Sequence, residues 1–150
     1  MSVHRLGDTI RIQREYPYPM EAVWSALVDP AQLADWLMPN DFRPELGHQF
    51  TFRTKPRPGF DGVVHCEVLA LDAPGLLRYS WRGGPMAQPS IVSWELSATA
   101  TGCRVVLRHE NLAQNVYSWF VGRTLRLGWG DLLRRKLPAT LAARARDAHQ

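Results

Sequence analysis

The sequence predicts an α+β fold: a curved antiparallel β-sheet wrapped around a long C-terminal helix, with two short helices between strands 1 and 2. Three observations carry this. Residues Tyr117–Ala145 place Leu125, Trp129, Leu132, Leu133, Leu137 and Leu141 at steps of three and four, the period that gathers side chains on one helical face. The chain ahead of them breaks into runs with the period-two alternation of half-buried strands. Short Gly- and Pro-containing links join those runs, which suits antiparallel hairpins better than crossovers. A striped helix and a one-sided sheet each need cover, so the economical arrangement sets one against the other. A helix that fills the concave face incompletely leaves an apolar pocket, and the chain then suggests a small-ligand container.

In order, Thr9–Tyr16 alternates Ile10, Ile12, Arg14 and Tyr16 against Arg11, Gln13 and Glu15 before Pro17 and Pro19 end it. Met20–Val28 carries Val23, Trp24, Leu27 and Val28 at helical spacing. Pro30 opens a second short helix through Leu33, Ala34, Trp36 and Leu37 with Asp29 as its cap, since proline in a first turn forfeits no hydrogen bond. Pro39, Asn40 and Pro44 make Met38–Leu46 a loop. Gly47–Thr54 is the second strand, and Asp61-Gly62 in the turn-rich Lys55–Gly62 is the expected tight hairpin turn. Val63–Leu71, Leu76–Arg82, Ile91–Thr99 and Cys103–His109 complete the set. In the final helix, Pro138 lacks the amide that would bond back to Arg134, so a kink is expected. Gly128 and Gly130 each lower helix propensity by roughly 1 kcal/mol, and either close approach of a ring and a strand or local slack would explain them.

At 150 residues and 45% hydrophobic, the chain reads as one domain over residues 1–150 with its core at about 9–141. Its 18 Lys and Arg against 14 Asp and Glu give +4, a modest excess. The basic residues Arg123, Arg126, Arg134–Lys136, Arg144 and Arg146 read as the solvated back of a helix rather than a nucleic-acid footprint. Two isolated cysteines, Cys66 and Cys103, make no disulfide framework and point to a reducing, cytoplasmic setting. No window reaches 18 uninterrupted apolar residues, so no membrane span is expected.

A family resemblance rests on Glu21-Ala22-Val23-Trp24 with Ala26-Leu27 and Asp29-Pro30, on Leu33 and Trp36, on Leu46-Gly47 and Gly102-Cys103-Arg104-Val105, and on Gly128-Trp129 followed by Leu132, Leu133 and Leu137. From Thr9 to about Leu141 the chain resembles the START-like superfamily, also called Bet v 1-like or SRPBCC (polyketide cyclase), and within it the activator-of-Hsp90-ATPase-homologue-1-like (AHSA1-like) branch. The resemblance implies the helix-grip fold. It also implies binding of lipids, polyketides or other apolar molecules, cyclisation or hydrolysis in some branches, and stimulation of a chaperone ATPase in the eukaryotic protein that names the branch. The glycine pairs usual in the family are single here, in Leu46-Gly47-His48 and Thr101-Gly102-Cys103.

The ligand-binding candidates are Phe50, Phe52, Tyr79, Trp81, Trp94 and Leu96 from the strands and Leu125, Trp129 and Leu133 from the helix, with plain core packing as the alternative for each. His109 shares parity with Cys103, Val105 and Leu107 and faces the interior as a polar member of that wall. No catalytic residue is assigned; His109 is the candidate proton carrier and would need an oriented partner. Among the other polar groups, His65, Arg78, Glu95 and Glu110, alternation sets Glu95 opposite Trp94. Asp35 and Asp41 read as solvated charges. The five histidines lack metal-ligand spacing, and there is no phosphate-cradling loop or nucleophile elbow, so neither metal nor cofactor is expected. The leading expectation is binding of a small hydrophobic or aromatic ligand, reached past Phe42, Phe60 and Met86. Beside it stand a cyclase- or hydrolase-like enzyme using His109, and a chaperone co-factor or protein-interaction module docking through an exposed Trp36–Phe42 edge or the basic helix face. The outer sheet could also support a homodimer.

Overall fold

In the computed structural model, which describes residues 9–84, 86, 88–112 and 125–148, the chain runs β1 (Ile10–Tyr16), α1 (Met20–Val28), α2 (Pro30–Trp36), β2 (Gln49–Arg53), β3 (Val63–Asp72), β4 (Leu76–Trp81), β5 (Ser90–Ala98) and β6 (Cys103–Glu110). A terminal helix follows over residues 125–148. Its expected beginning at Tyr117, and Arg123, lie outside the described residues. The six strands form one antiparallel sheet in the order β1-β6-β5-β4-β3-β2. The strands from β2 to β6 follow one another as hairpins, while β1 lies at the far edge and pairs with β6, Ile10 opposite His109 and Tyr16 opposite Cys103. The two short helices therefore cross from one edge of the sheet to the other and pack on the terminal helix as they go. This is the helix-grip arrangement.

Alternation sorts the strand side chains by face. The inner set, from Phe50 and Phe52 through Val64, Cys66, Tyr79, Trp81, Trp94 and Leu107 to His109, is buried, and Trp129, Leu133, Leu137 and Leu141 of the helix are buried against it. On the outer face Glu95 pairs with Arg108, Glu15 with Arg104, and the Arg78 guanidinium donates to Ser93 Oγ at 3.0 Å. Asp29 caps α2 as expected, its Oδ1 accepting from the Ala31 amide at 3.4 Å. The tight turn of the β2–β3 hairpin falls on Pro58-Gly59 instead of Asp61-Gly62, because Arg57 and Phe60 exchange both backbone bonds at 2.8 Å. Gly62 has a different task. At φ +83 it passes so close to Thr54 that a Cβ would lie 2.3 Å from the Thr54 carbonyl oxygen.

The terminal helix answers its proline with a π turn over Leu132–Lys136, in which the Leu137 amide bonds back to the Leu132 carbonyl. A strict four-residue stripe drifts by about 40° per step on an α-helix, and a wider turn takes up part of that drift. Leu125, Trp129, Leu133, Leu137 and Leu141 thereby stay on the core side. The π turn also frees one acceptor. The Leu133 carbonyl cannot bond to Leu137, which is engaged, nor to Pro138, which has no N–H, and the Tyr16 hydroxyl donates to it at 2.7 Å. Gly128 and Gly130 have open space where a Cβ would sit, among the described residues, so close approach does not explain them. No helix of the described chain is long and apolar enough to cross a membrane.

Two outcomes follow for stability. Tyr16→Phe leaves a buried carbonyl unpaired and is expected to lower unfolding free energy by about 1–3 kcal/mol, read by urea denaturation. Gly128→Ala is expected to raise it by roughly 0.5–1 kcal/mol in the same assay.

Candidate functional site

The inner face of the sheet and the terminal helix meet in a continuous cluster of rings. Phe50 stands edge-on to Phe42, Phe52 and Tyr79 at centroid distances of 5.0, 5.4 and 5.4 Å. Phe52 continues to Trp81 at 5.6 Å, and Trp81 reaches Trp129 at 5.4 Å. Trp94 lies between Trp36 and Trp129, 5.8 and 5.5 Å away. These are edge-to-face and tilted contacts, the arrangement ring quadrupoles prefer. The strand candidates Phe50, Phe52, Tyr79, Trp81 and Trp94 are thus brought together with Trp129, while Leu96 and Leu133 are buried in the same core and Leu125 is half-buried against it. Beside Trp129 the space between helix and sheet is occupied by these rings.

The polar groups inside this shell form a directed chain. His109 is fully buried, 0% exposed, at the end of β6. Trp129 Nε1–H donates to His109 Nδ1 at 3.0 Å, and His109 Nε2 lies 2.7 Å from Ser90 Oγ. An indole nitrogen can only donate, so Nδ1 is the acceptor and the proton sits on Nε2, which donates to Ser90. Ser90 in turn donates to the Trp81 carbonyl at 2.7 Å. One chain of bonds therefore joins the terminal helix to β6, β5 and β4. Burial pushes the His109 pKa down to about 3, because the charged form would lose its hydration. A second internal bond runs from Trp94 Nε1–H to the Tyr79 hydroxyl at 3.0 Å. Burial also pushes the Tyr79 and Tyr16 hydroxyls and the Cys66 and Cys103 thiols upward.

Other sequence candidates fall elsewhere. His65, Arg78, Glu95 and Glu110 are on the outer face or at its rim, away from the rings. The Trp36–Phe42 edge, expected to be exposed, is buried: both residues are 1% exposed, and the Trp36 indole donates to the Ala26 carbonyl at 2.8 Å. Asp41 is not a free charge. Its Oδ1 accepts from the Thr51 amide at 2.6 Å and from the Thr51 hydroxyl at 3.2 Å, and these bonds, the amide one foremost, hold its pKa below the usual range. It clips the α2–β2 loop onto the edge strand. Asp35 pairs with Arg144 at 3.6 Å, and Arg134 and Arg135 pair with Asp131, so part of the basic helix face is neutralised within the chain. Ser90 was missed by sequence reading, although its position two residues before Val92 gives it the inward parity. No group of three or more His, Cys, Asp or Glu able to hold a metal occurs among the described residues.

The neutral His109 makes a pH dependence. Its folded value is depressed relative to an unfolded histidine, so its contribution is complete above about pH 6.5 and is lost as pH falls toward 3, with a slope of up to about 1.4 kcal/mol per pH unit. Urea denaturation at pH 7 and pH 5 should show the wild type losing about 1–2 kcal/mol more than His109→Gln, which cannot titrate.

Comparison with known proteins agrees with this architecture. The chain aligns over 90% of its length with MLL2253 from Mesorhizobium loti, covering 97% of that chain at 29% identity and a TM-score of 0.78. It aligns over 89% with BH1534 from Bacillus halodurans, covering 96% of that chain at 23% identity and a TM-score of 0.73. DynU16, from the dynemicin biosynthetic locus, matches over 90% of this chain and 47% of its own at 20% identity and a TM-score of 0.76. No curated protein sequence matches. Residues 17–142 match the family described as Activator of Hsp90 ATPase homolog 1-like protein, and with the helix-grip architecture this shows that the chain belongs to that family, within the START-like (SRPBCC) superfamily.

Proposed function

We propose that this protein binds a small apolar or aromatic molecule against the inner aromatic surface of its sheet, entered past the loops that carry Phe42, Phe60 and Met86. The observation that carries this reading is the density of rings on one concave face. Phe50, Phe52, Tyr79, Trp81, Trp94 and Trp129 form a connected apolar surface, and its polar groups are held in fixed hydrogen bonds. An apolar wall with a few oriented polar groups is the usual composition of a small-molecule site. The rings meet edge to face and are almost fully covered, so a flat guest enters by parting them, and the unbranched thioether side chain of Met86, buried at the β4–β5 loop, is suited to yield there.

Catalysis by His109 fits the geometry less well. Both imidazole nitrogens are engaged, burial keeps the ring neutral, and the thiols of Cys66 and Cys103 are pushed toward the protonated form. In this reading His109 fastens the wall and leaves the guest's protons alone.

Titration with a panel of lipids and polycyclic aromatics should give saturable quenching of tryptophan fluorescence. Trp81→Phe, which keeps a ring but removes the indole, is expected to weaken binding roughly three- to tenfold. A native mass spectrum of bare chain alone, with no saturable quenching across the panel, would overturn the reading.

A further inference from the structure

On the opposite face of the sheet, Thr51, His65 and Arg82 form one rung across three strands. Thr51 pairs with His65 in the β2–β3 register, and His65 and Arg82 exchange both backbone bonds, at 2.8 and 2.9 Å. Hydrogen-bonded partners in an antiparallel ladder project side by side on the same face. The His65 and Arg82 side chains are exposed and stand between two hollows, both of which they line. The larger, about 360 Å³, extends over Gln49, Thr51, Glu67 and Ser80. The smaller, about 240 Å³, extends over Gly59, Asp61, Gly83 and Gly84.

The charges at this corner are unevenly committed. Each neighbouring carboxylate already accepts a bond: Asp41 from Thr51 at 2.6 Å, Asp61 from the Val63 amide at 3.1 Å, and Glu67 from Gln49 at 3.5 Å. The Arg82 guanidinium and the His65 imidazole make no ion pair or side-chain hydrogen bond among the described residues. Gly84, at φ +60, offers an amide that donates to no described residue. Arg53, Lys55 and Arg57, exposed on the adjoining hairpin, add positive potential without an ion pair in the described chain. A guanidinium fork and an imidazole that line one hollow together with the Gly83–Gly84 backbone are donors suited to an oxyanion. The amide and hydroxyl groups of Gln49, Thr51 and Ser80 along the larger hollow suit a hydroxyl-rich body attached to that anion.

We propose that the His65–Arg82 rung binds the phosphate of a small phosphorylated polyol, a sugar phosphate in chemical class, on the outer face of the sheet. This site is separated from the aromatic interior by the sheet itself and does not depend on what the interior holds.

Ribose 5-phosphate and inorganic phosphate, titrated into the full chain and followed by NMR of the histidine side chains and by calorimetry, test it. Ribose 5-phosphate is expected to shift the His65 ring saturably and to bind more tightly than phosphate alone. Arg82→Gln is expected to weaken it roughly tenfold, while Arg78→Gln, an outer-face arginine beyond both hollows, leaves it unchanged. A thermal melt of each variant, matching wild type, establishes that the fold is intact. The proposal is overturned by absence of a saturable His65 shift, by unaltered affinity in Arg82→Gln, or by binding to vesicles containing a phosphoinositide with none to ribose 5-phosphate, which would place a membrane headgroup there instead.

Discussion

The indole N–H of Trp129 is a donor with one direction, and the position of its acceptor organises the interior. It reaches His109 at the end of β6, and from there the bonds pass to Ser90 on β5 and the Trp81 carbonyl on β4. Every polar atom in this run is buried, so every one must be matched. The consequence is a helix held at one rotation and one height against the sheet, with the tautomer of His109 fixed by its neighbour. Truncating a buried tryptophan typically removes about 3–5 kcal/mol, and here the loss would also leave His109 Nδ1 buried without its donor.

That fastening shapes the functional reading. A histidine that accepts from an indole and donates to a serine has no nitrogen left for a substrate. What remains for a guest is the ring cluster itself: rings from four elements, buried and touching edge to face on the concave side of a sheet, which must part to admit it. The fold supplies an apolar wall and a rigid frame around it, while the opposite side of the same strands carries charge, so the two faces suit ligands of opposite character.

Much of this was legible in the sequence, because periodicity reports burial directly. Each strand was found within a few residues, Glu95 was set opposite Trp94, and His109 was turned inward, all from parity alone. What periodicity does not report is how tightly the buried groups meet. The rings that read equally as core or pocket wall touch one another beside Trp129. Trp36 and Phe42, placed at an exposed edge, are covered, since a short helix and a loop carry no parity signal long enough to read. The π turn, too, has a signal in the sequence. Leucines and a tryptophan every four residues from Leu125 to Leu141, with Pro138 inside the run, suit a helix wound slightly looser than 3.6 residues per turn.

The bond from Tyr16 to Leu133 spans 117 positions of sequence, and among the described strands β1 pairs with β6 alone. As the chain leaves the ribosome, the hairpins from β2 to β6 can assemble in the order they are made, whereas the opening strand must wait as an unpaired edge until nearly everything else has emerged. Its docking and that of the terminal helix are then one late event, and the interval before it is when this protein is most open to capture by chaperones or by its own copies.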